Sequence, residues 1–212
     1  MKTAVLALHY QNEVLHPEGR IALGVAREGD ASAMVVAAAS ALLSGARAAD
    51  VPVISVRISF RPDHAEVIRN APIFRNVVAS GAMVEGTWGA EFVEGLEPAA
   101  GEFVVHHTRI SGFTGSPLAE ILRALEIGHL VIAGVATNSV VATTAAHAVD
   151  LGWEVTIAAD ACSCRDARMQ EATLESLALI AEVNSVSEIV AKFGRGLRPA
   201  NHRCSKAKST TL

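Results

Sequence analysis

Residues 130–147, LVIAGVATNSVVATTAAH, restrict the fold more than any other part of the chain. An apolar run over 130–133 stops at Gly134, the pattern of a strand buried on both faces. The chain then turns through Val135, Ala136 and Thr137 into an Ala- and Thr-rich segment that reads as a helix, with Thr137 or Asn138 in position to cap it. A strand turning sharply into a helix aims backbone N–H groups at the space above a sheet. Many enzymes keep a nucleophile there. In this chain the first helical turn carries Val140 and Val141, and neither side chain has a lone pair.

The same alternation extends in both directions. Strands are expected over 3–8, 52–57, 103–107, 130–133, 154–158 and 184–186. Helices are expected over 30–49, 116–125, 166–181 and 187–193, with Pro117 at a favoured first-turn position. Residues 14–26, broken by Pro17, Gly19 and Gly24, read as a loop. Residues 59–101 are rich in Pro and Gly with weak periodicity, and a loop of that length in a compact domain usually serves function. Strands alternating with helices build a mainly parallel sheet in a three-layer α/β/α sandwich, with right-handed crossovers. One domain over 1–193 accounts for all of these elements, and the basic, polar tail over 194–212 reads as mobile. Ligands of such sheets bind above the carboxyl ends of the strands. His9, His107, the turn over 134–140 and Asp160 fall there.

Composition removes several classes of function. A net charge of −4 leaves no electrostatic footprint for nucleic acid. No apolar run reaches the roughly 18 residues of a membrane span, so no membrane partner is expected. The N-terminal apolar run reads as a first strand rather than a signal peptide. Three cysteines, Cys162, Cys164 and Cys204, make no disulfide framework, which suits a reducing cytoplasm.

The motifs in order resemble those of the isochorismatase-like hydrolases, also called cysteine hydrolases, over about residues 3–193. His9-Tyr10-Gln11-Asn12 stands where the family has Asp-x-Gln-Asn after its first strand. Gly86-Thr87-Trp88-Gly89-Ala90-Glu91 resembles the segment before its third strand, and Arg109-Ile110-Ser111-Gly112-Phe113-Thr114-Gly115 resembles its Arg-x-Ser-Ala-Phe-x-Gly-Thr loop. Gly134-Val135-Ala136-Thr137 with Thr143-Thr144-Ala145 resembles its Gly-Val-x-Thr turn and the helix after it. The resemblance implies a cis peptide at Val135-Ala136 and a homodimer or larger homo-oligomer. It also implies an Asp base, a supporting Lys and a Cys nucleophile, and this chain carries His9, His107 and Val140 at those three positions.

Thiolate chemistry needs a thiolate, so a cysteine amidase is not expected. Gln11, Trp88, Arg109, Phe113, Ala136 and Thr137 are the expected ligand-binding residues, and Arg61 or Arg109 would meet a carboxylate. Three readings stay open. The chain binds a small polar molecule with its catalytic residues degenerate. Alternatively it is an active non-cysteine hydrolase of a C–N bond or of a vinyl ether, the latter as in some family members, with His9 as general acid or base near its ordinary pKa of about 6.5. In the third reading it is a structural partner in an oligomer. A zinc site at His9 and His107 lacks a third ligand at any supporting spacing, and His64 lacks the partner that some family amidases use. No metal or cofactor is expected.

Overall fold

The computed structural model describes residues 1–21 and 31–193. A six-stranded sheet runs in the order β3-β2-β1-β4-β5-β6, and every neighbouring pair is parallel. The strands are β1 (Lys2–Leu8), β2 (Val53–Ile58), β3 (Phe103–His107), β4 (Ile127–Val135), β5 (Glu154–Ser163) and β6 (Glu182–Asn184). The central runs, Ala4 to Leu8 in β1 and Leu130 to Val135 in β4, are continuous in apolar residues because both faces are covered.

Strand order reverses between β1 and β4. The chain leaves β1 toward β2 on one side and later returns from β4 toward β5 on the other. Right-handed crossovers in opposite directions put their helices on opposite faces. Helix α2 (Ala31–Ala48) packs with α7 (Val186–Phe193) over β5, burying Val35, Ala39, Leu42, Leu43 and Ala46. The two helices approach closely because Gly45 has no side chain: a Cβ there would lie 2.6 Å from Val190 Cγ2. Helices α4 (Leu118–Ala124) and α5 (Ala142–Asp150) pack against β4 and β5, and α6 (Ala167–Leu177) lies against the turn before α5.

Several expectations from sequence are corrected. The 59–101 segment contains a helix, α3 (Pro72–Ser80), with Pro72 in its first turn and Gly81 in the left-handed conformation closing its end. A short helix, α1 (Asn12–Leu15), occupies the start of the expected loop. The rest of that loop from residue 22, the expected helix start at residue 30 and the tail over 194–212 lie outside the described residues. Strand β5 continues to Ser163 through an irregularity opposite β4, so Asp160 sits within the strand, where its Oδ1 accepts the Val186 N–H at 2.8 Å. Neither Thr137 nor Asn138 caps a helix. Thr137 Oγ1 donates to Gln170 Oε1 at 2.7 Å, and residues Thr137–Val141 form a π-helical turn before α5. Helix α2, although it packs on the sheet, has the 18-residue length and mean hydropathy of 1.4 that would let a helix cross a membrane.

Candidate functional site

A crevice opens where strand order reverses, above the carboxyl ends of β1 and β4, the usual place for a ligand in an open α/β sheet. Leu8 lies opposite Gly134 in the parallel ladder, so His9 follows β1 directly beside the Val135-Ala136 peptide, which is cis. This close approach requires glycine at 134, because a Cβ there would sit 2.3 Å from the Leu8 carbonyl oxygen. His9 takes a positive φ of 55° as the chain leaves the strand, with its N–H bonded to the Val56 carbonyl at 2.9 Å.

The side chain of His9 meets His107 across the end of β2. The two Nε2 atoms lie 2.5 Å apart and the rings stack with centroids 4.8 Å apart. His107 Nδ1 is 3.1 Å from the Ser111 carbonyl oxygen. A carbonyl only accepts, so His107 carries its proton on Nδ1 and presents a lone pair at Nε2. His9 must then donate through Nε2, which leaves its own Nδ1 as a lone pair. That nitrogen has no hydrogen-bond partner among the described residues. Burial, and then the proximity of His107, hold the His9 pKa well below the ordinary imidazole value. Burial lowers His107 to about 4, against a smaller opposing effect of its bond to Ser111. Both rings are neutral at pH 7. The network continues outward, since the Ser111 hydroxyl lies 3.0 Å from His147 Nδ1.

The crevice encloses about 550 Å³, its open mouth included. Ile73, Phe74 and Val77 of α3, with Met83, Ile58 and Ile110, form apolar walls, and Val135 and Ala136 line the turn side. Three lining residues carry polar side-chain atoms: His9, Arg109 and Ser139. The Arg109 guanidinium lies 4.0 Å over the Phe74 ring and donates to the Ile68 carbonyl at 3.2 Å and Asn70 Oδ1 at 3.0 Å. These acceptors are neutral, and no carboxylate pairs with Arg109 among the described residues.

Of the residues singled out from sequence, His9, Arg109 and Ala136 line this crevice and His107 stands behind His9. The others lie elsewhere. Gln11, fully buried, bonds the Ile58 and Ala90 carbonyls and the Ile58 N–H, joining β2 to the 59–101 segment. Trp88 is 46% exposed and sits edge-on to His16. Phe113 stacks on Trp153 in the core, Thr137 is sealed against Gln170, and Val140 is buried in the π-helical turn. Asp63 pairs with Arg61 at 3.2 Å and His64 Nε2 donates to the Ala82 carbonyl at 3.0 Å, so these two do not converge as metal ligands.

Cys162 and Cys164 are free and buried outside the crevice lining, and burial raises Cys162 to about 12. Cys204 lies outside the described residues. Sequence reasoning missed the α3 wall and Ser139. The wall was signalled by Pro72 and Gly81 bracketing Phe74 and Val77, whereas Ser139 reads in sequence as an ordinary helix-start residue.

Residues 3–188 match the family model described as an isochorismatase domain. The chain belongs to the isochorismatase family. Among isochorismatase-family relatives, a ureidoacrylate amidohydrolase of Caulobacter segnis is 31% identical over 173 residues, covering 75% of this chain and 71% of that protein. A maleamate amidohydrolase of Pseudomonas putida is 31% identical over 140 residues, covering 64% of this chain and 63% of that protein. The structure is similar to that of a cysteine hydrolase from Pseudomonas syringae pv. phaseolicola, with a TM-score of 0.82 at 25% identity over 92% of this chain and 93% of that one. This isochorismatase-family chain therefore has the three-layer α/β/α architecture expected from its sequence.

Proposed function

We propose that this family member binds a small carboxylate-bearing molecule in the crevice, and that any hydrolysis it performs proceeds without a thiol, with His9 accepting the proton. The observation that carries the reading is Arg109, a guanidinium without an acidic partner among the described residues, set in a mostly apolar cleft. A buried or half-buried cation of this kind favours a planar anion that accepts two N–H bonds. Ureidoacrylate and maleamate, named in two relatives, are both carboxylates.

The absence of thiol chemistry is supported by Val140 at the position of the family's nucleophile and by His9 and His107 in place of the acid–base pair. Two neutral imidazoles give no cation to hold a thiolate. His9 Nδ1 supports the catalytic part of the reading, because a lone pair beside the ligand can take a proton. A cytoplasmic setting fits the free thiols Cys162 and Cys164. A homodimer or larger assembly remains part of the proposal, and light scattering at micromolar concentration tests it.

Calorimetry separates the ligand classes. Small unsaturated amido-carboxylates such as maleamate should bind, and the matched neutral diamides should bind at least tenfold more weakly. Equal affinity for both would overturn the reading.

A further inference from the structure

We infer that Ser139 is the nucleophile of a serine-type acyl transfer in this crevice, with His9 as its base and His107 as the residue that positions His9. The inference rests on the crevice being the ligand site proposed above. Ser139 lies on the π-helical turn just past the Val135-Ala136 peptide and lines the crevice together with His9. It is half-buried, and its hydroxyl makes no hydrogen bond to any described residue. Val140, one position on, is turned into the core with 1% exposure. The helical turn thus presents position 139, and not 140, to a bound molecule.

The protonation pattern behind Ser139 is fixed by acceptors and donors of known sense. The Ser111 carbonyl holds the proton of His107 on Nδ1, and His107 Nε2 therefore accepts from His9 Nε2. His9 is locked with its one basic lone pair, on Nδ1, free to take a proton. A base oriented by a third group activates a weak oxygen nucleophile within its hydrogen-bond reach. Ser139 and His9 share the cleft without a hydrogen bond between them, and the proposed step brings the Ser139 hydroxyl onto His9 Nδ1. The third group here is a neutral imidazole, and it stabilises the imidazolium less than a carboxylate would.

The chemistry balances with water as the only co-reactant. Ser139 Oγ forms a bond to the carbonyl carbon of an ester or activated amide as its proton moves to His9 Nδ1. The carbonyl π pair moves onto oxygen. When that pair returns, the bond to the leaving alkoxide or amine breaks, and His9 Nδ1 gives the leaving group the proton. Water then attacks the acyl-Ser139 ester by the same route, releasing the carboxylic acid and restoring the hydroxyl. Throughout the charged stage, the His9 Nε2–H bond to His107 becomes charge-assisted and shorter.

The test uses the intact protein. Wild type is incubated with phenylmethanesulfonyl fluoride and with p-nitrophenyl acetate, and the modified peptide is located by mass spectrometry. The expected result is modification of Ser139 at up to one equivalent per chain, with a burst of nitrophenolate. Ser139→Ala should abolish both, and His9→Gln should slow labelling at least tenfold. Circular dichroism melts establish that the variants are folded, while the wild-type labelling needs no variant at all. No covalent modification of wild type, or modification centred on another serine, overturns the inference. If maleamate still binds while Ser139 stays unlabelled, the serine role fails and the carboxylate reading stands. If Ser139 labels but no carboxylate binds, the reverse holds.

Discussion

His9 and His107 share one hydrogen bond between their Nε2 atoms, and the shared proton belongs to His9. The assignment follows from the Ser111 carbonyl on the far side of His107, which fixes both tautomers. Burial opposes charge on either ring, and a proton on His107 Nε2 would remove the acceptor of this bond, which gives the molecule a defined acid sensitivity.

Both imidazoles have folded pKa values below the unfolded value of about 6.5, His107 at about 4 and His9 displaced in the same direction. The unfolded chain then binds more protons than the folded one between about pH 6.5 and 4. The contribution of the neutral rings is fully present above that window and is lost as pH falls through it, by up to roughly 1.4 kcal/mol per pH unit for His107, with His9 acting in the same direction. Melting temperatures measured from pH 7.5 to 4.5 should fall more steeply for wild type than for His107→Gln. Parallel slopes would contradict the pairing.

Arg109→Gln should weaken binding of a small carboxylate about ten- to a hundredfold, the loss expected for charge-assisted hydrogen bonds worth about 1.5–3 kcal/mol. The half-buried guanidinium packs on Phe74 and bonds only neutral acceptors, so the melting temperature should change little. Calorimetry and a thermal melt on one preparation check both statements.

Val140→Cys alone should not raise turnover of small amides above wild type. The new thiol would be buried like the valine it replaces, and at the family's base and lysine positions stand two neutral imidazoles rather than a carboxylate and an ammonium that could hold a thiolate. Release of ammonia from maleamate is the measurement, and a clear gain would mean that His9 and His107 serve as a working base and cation.

Gly134→Ala should destabilise the fold by about 3 kcal/mol, the scale of overpacking a closed interior. The added Cβ would meet the Leu8 carbonyl oxygen at 2.3 Å and Leu8 Cβ at 2.6 Å, and neither belongs to a flexible side-chain end. Urea unfolding should give a lower midpoint at an unchanged slope.

Gln11→Ala should cost a similar amount, about 3 kcal/mol, because it leaves the half-buried Ile58 N–H and carbonyl and the buried Ala90 carbonyl without their partner. The same variant should widen the spread of ligand affinities rather than abolish binding, since Gln11 ties the crevice wall to β2 without lining the crevice. Hydrogen exchange across residues 59–101 would detect the loosening.

The fold was legible because its strands are continuous apolar runs with turn residues at their ends, as β1 and β4 illustrate. The strand ends lie at these same residues in the structure, His9 directly after β1 and His107 as the last residue of β3. What the sequence did not disclose was the direction of side chains beyond those ends. Arg109 and Phe113 lie four residues apart in one loop, yet one enters the crevice and the other stacks on Trp153. Periodicity cannot separate such neighbours, because irregular backbone has no fixed alternation of faces. Ser139 and Val140 differ in the same way, on a π-helical turn whose phase departs from 3.6 residues per turn. Helix α3 was hidden for another reason: its nine residues carry only two buried side chains, Phe74 and Val77, too few to announce a helical period.

The segment carrying α3 is tied to the ends of β1 and β2 by the Gln11–Phe92 backbone bridge and the Gln11 side chain, and the Phe60–Val84 bridge closes the segment on itself. It supplies much of the crevice wall while contributing nothing to the six-stranded ladder. Selectivity and foldability are therefore written in different parts of the chain. Exchanging Ile73, Phe74, Val77 and Met83 for side chains of other sizes would retune which acyl groups are admitted, and the strand register that holds His9 beside His107 would be inherited unchanged. A library built on those four positions would explore ligand preference with the scaffold held constant.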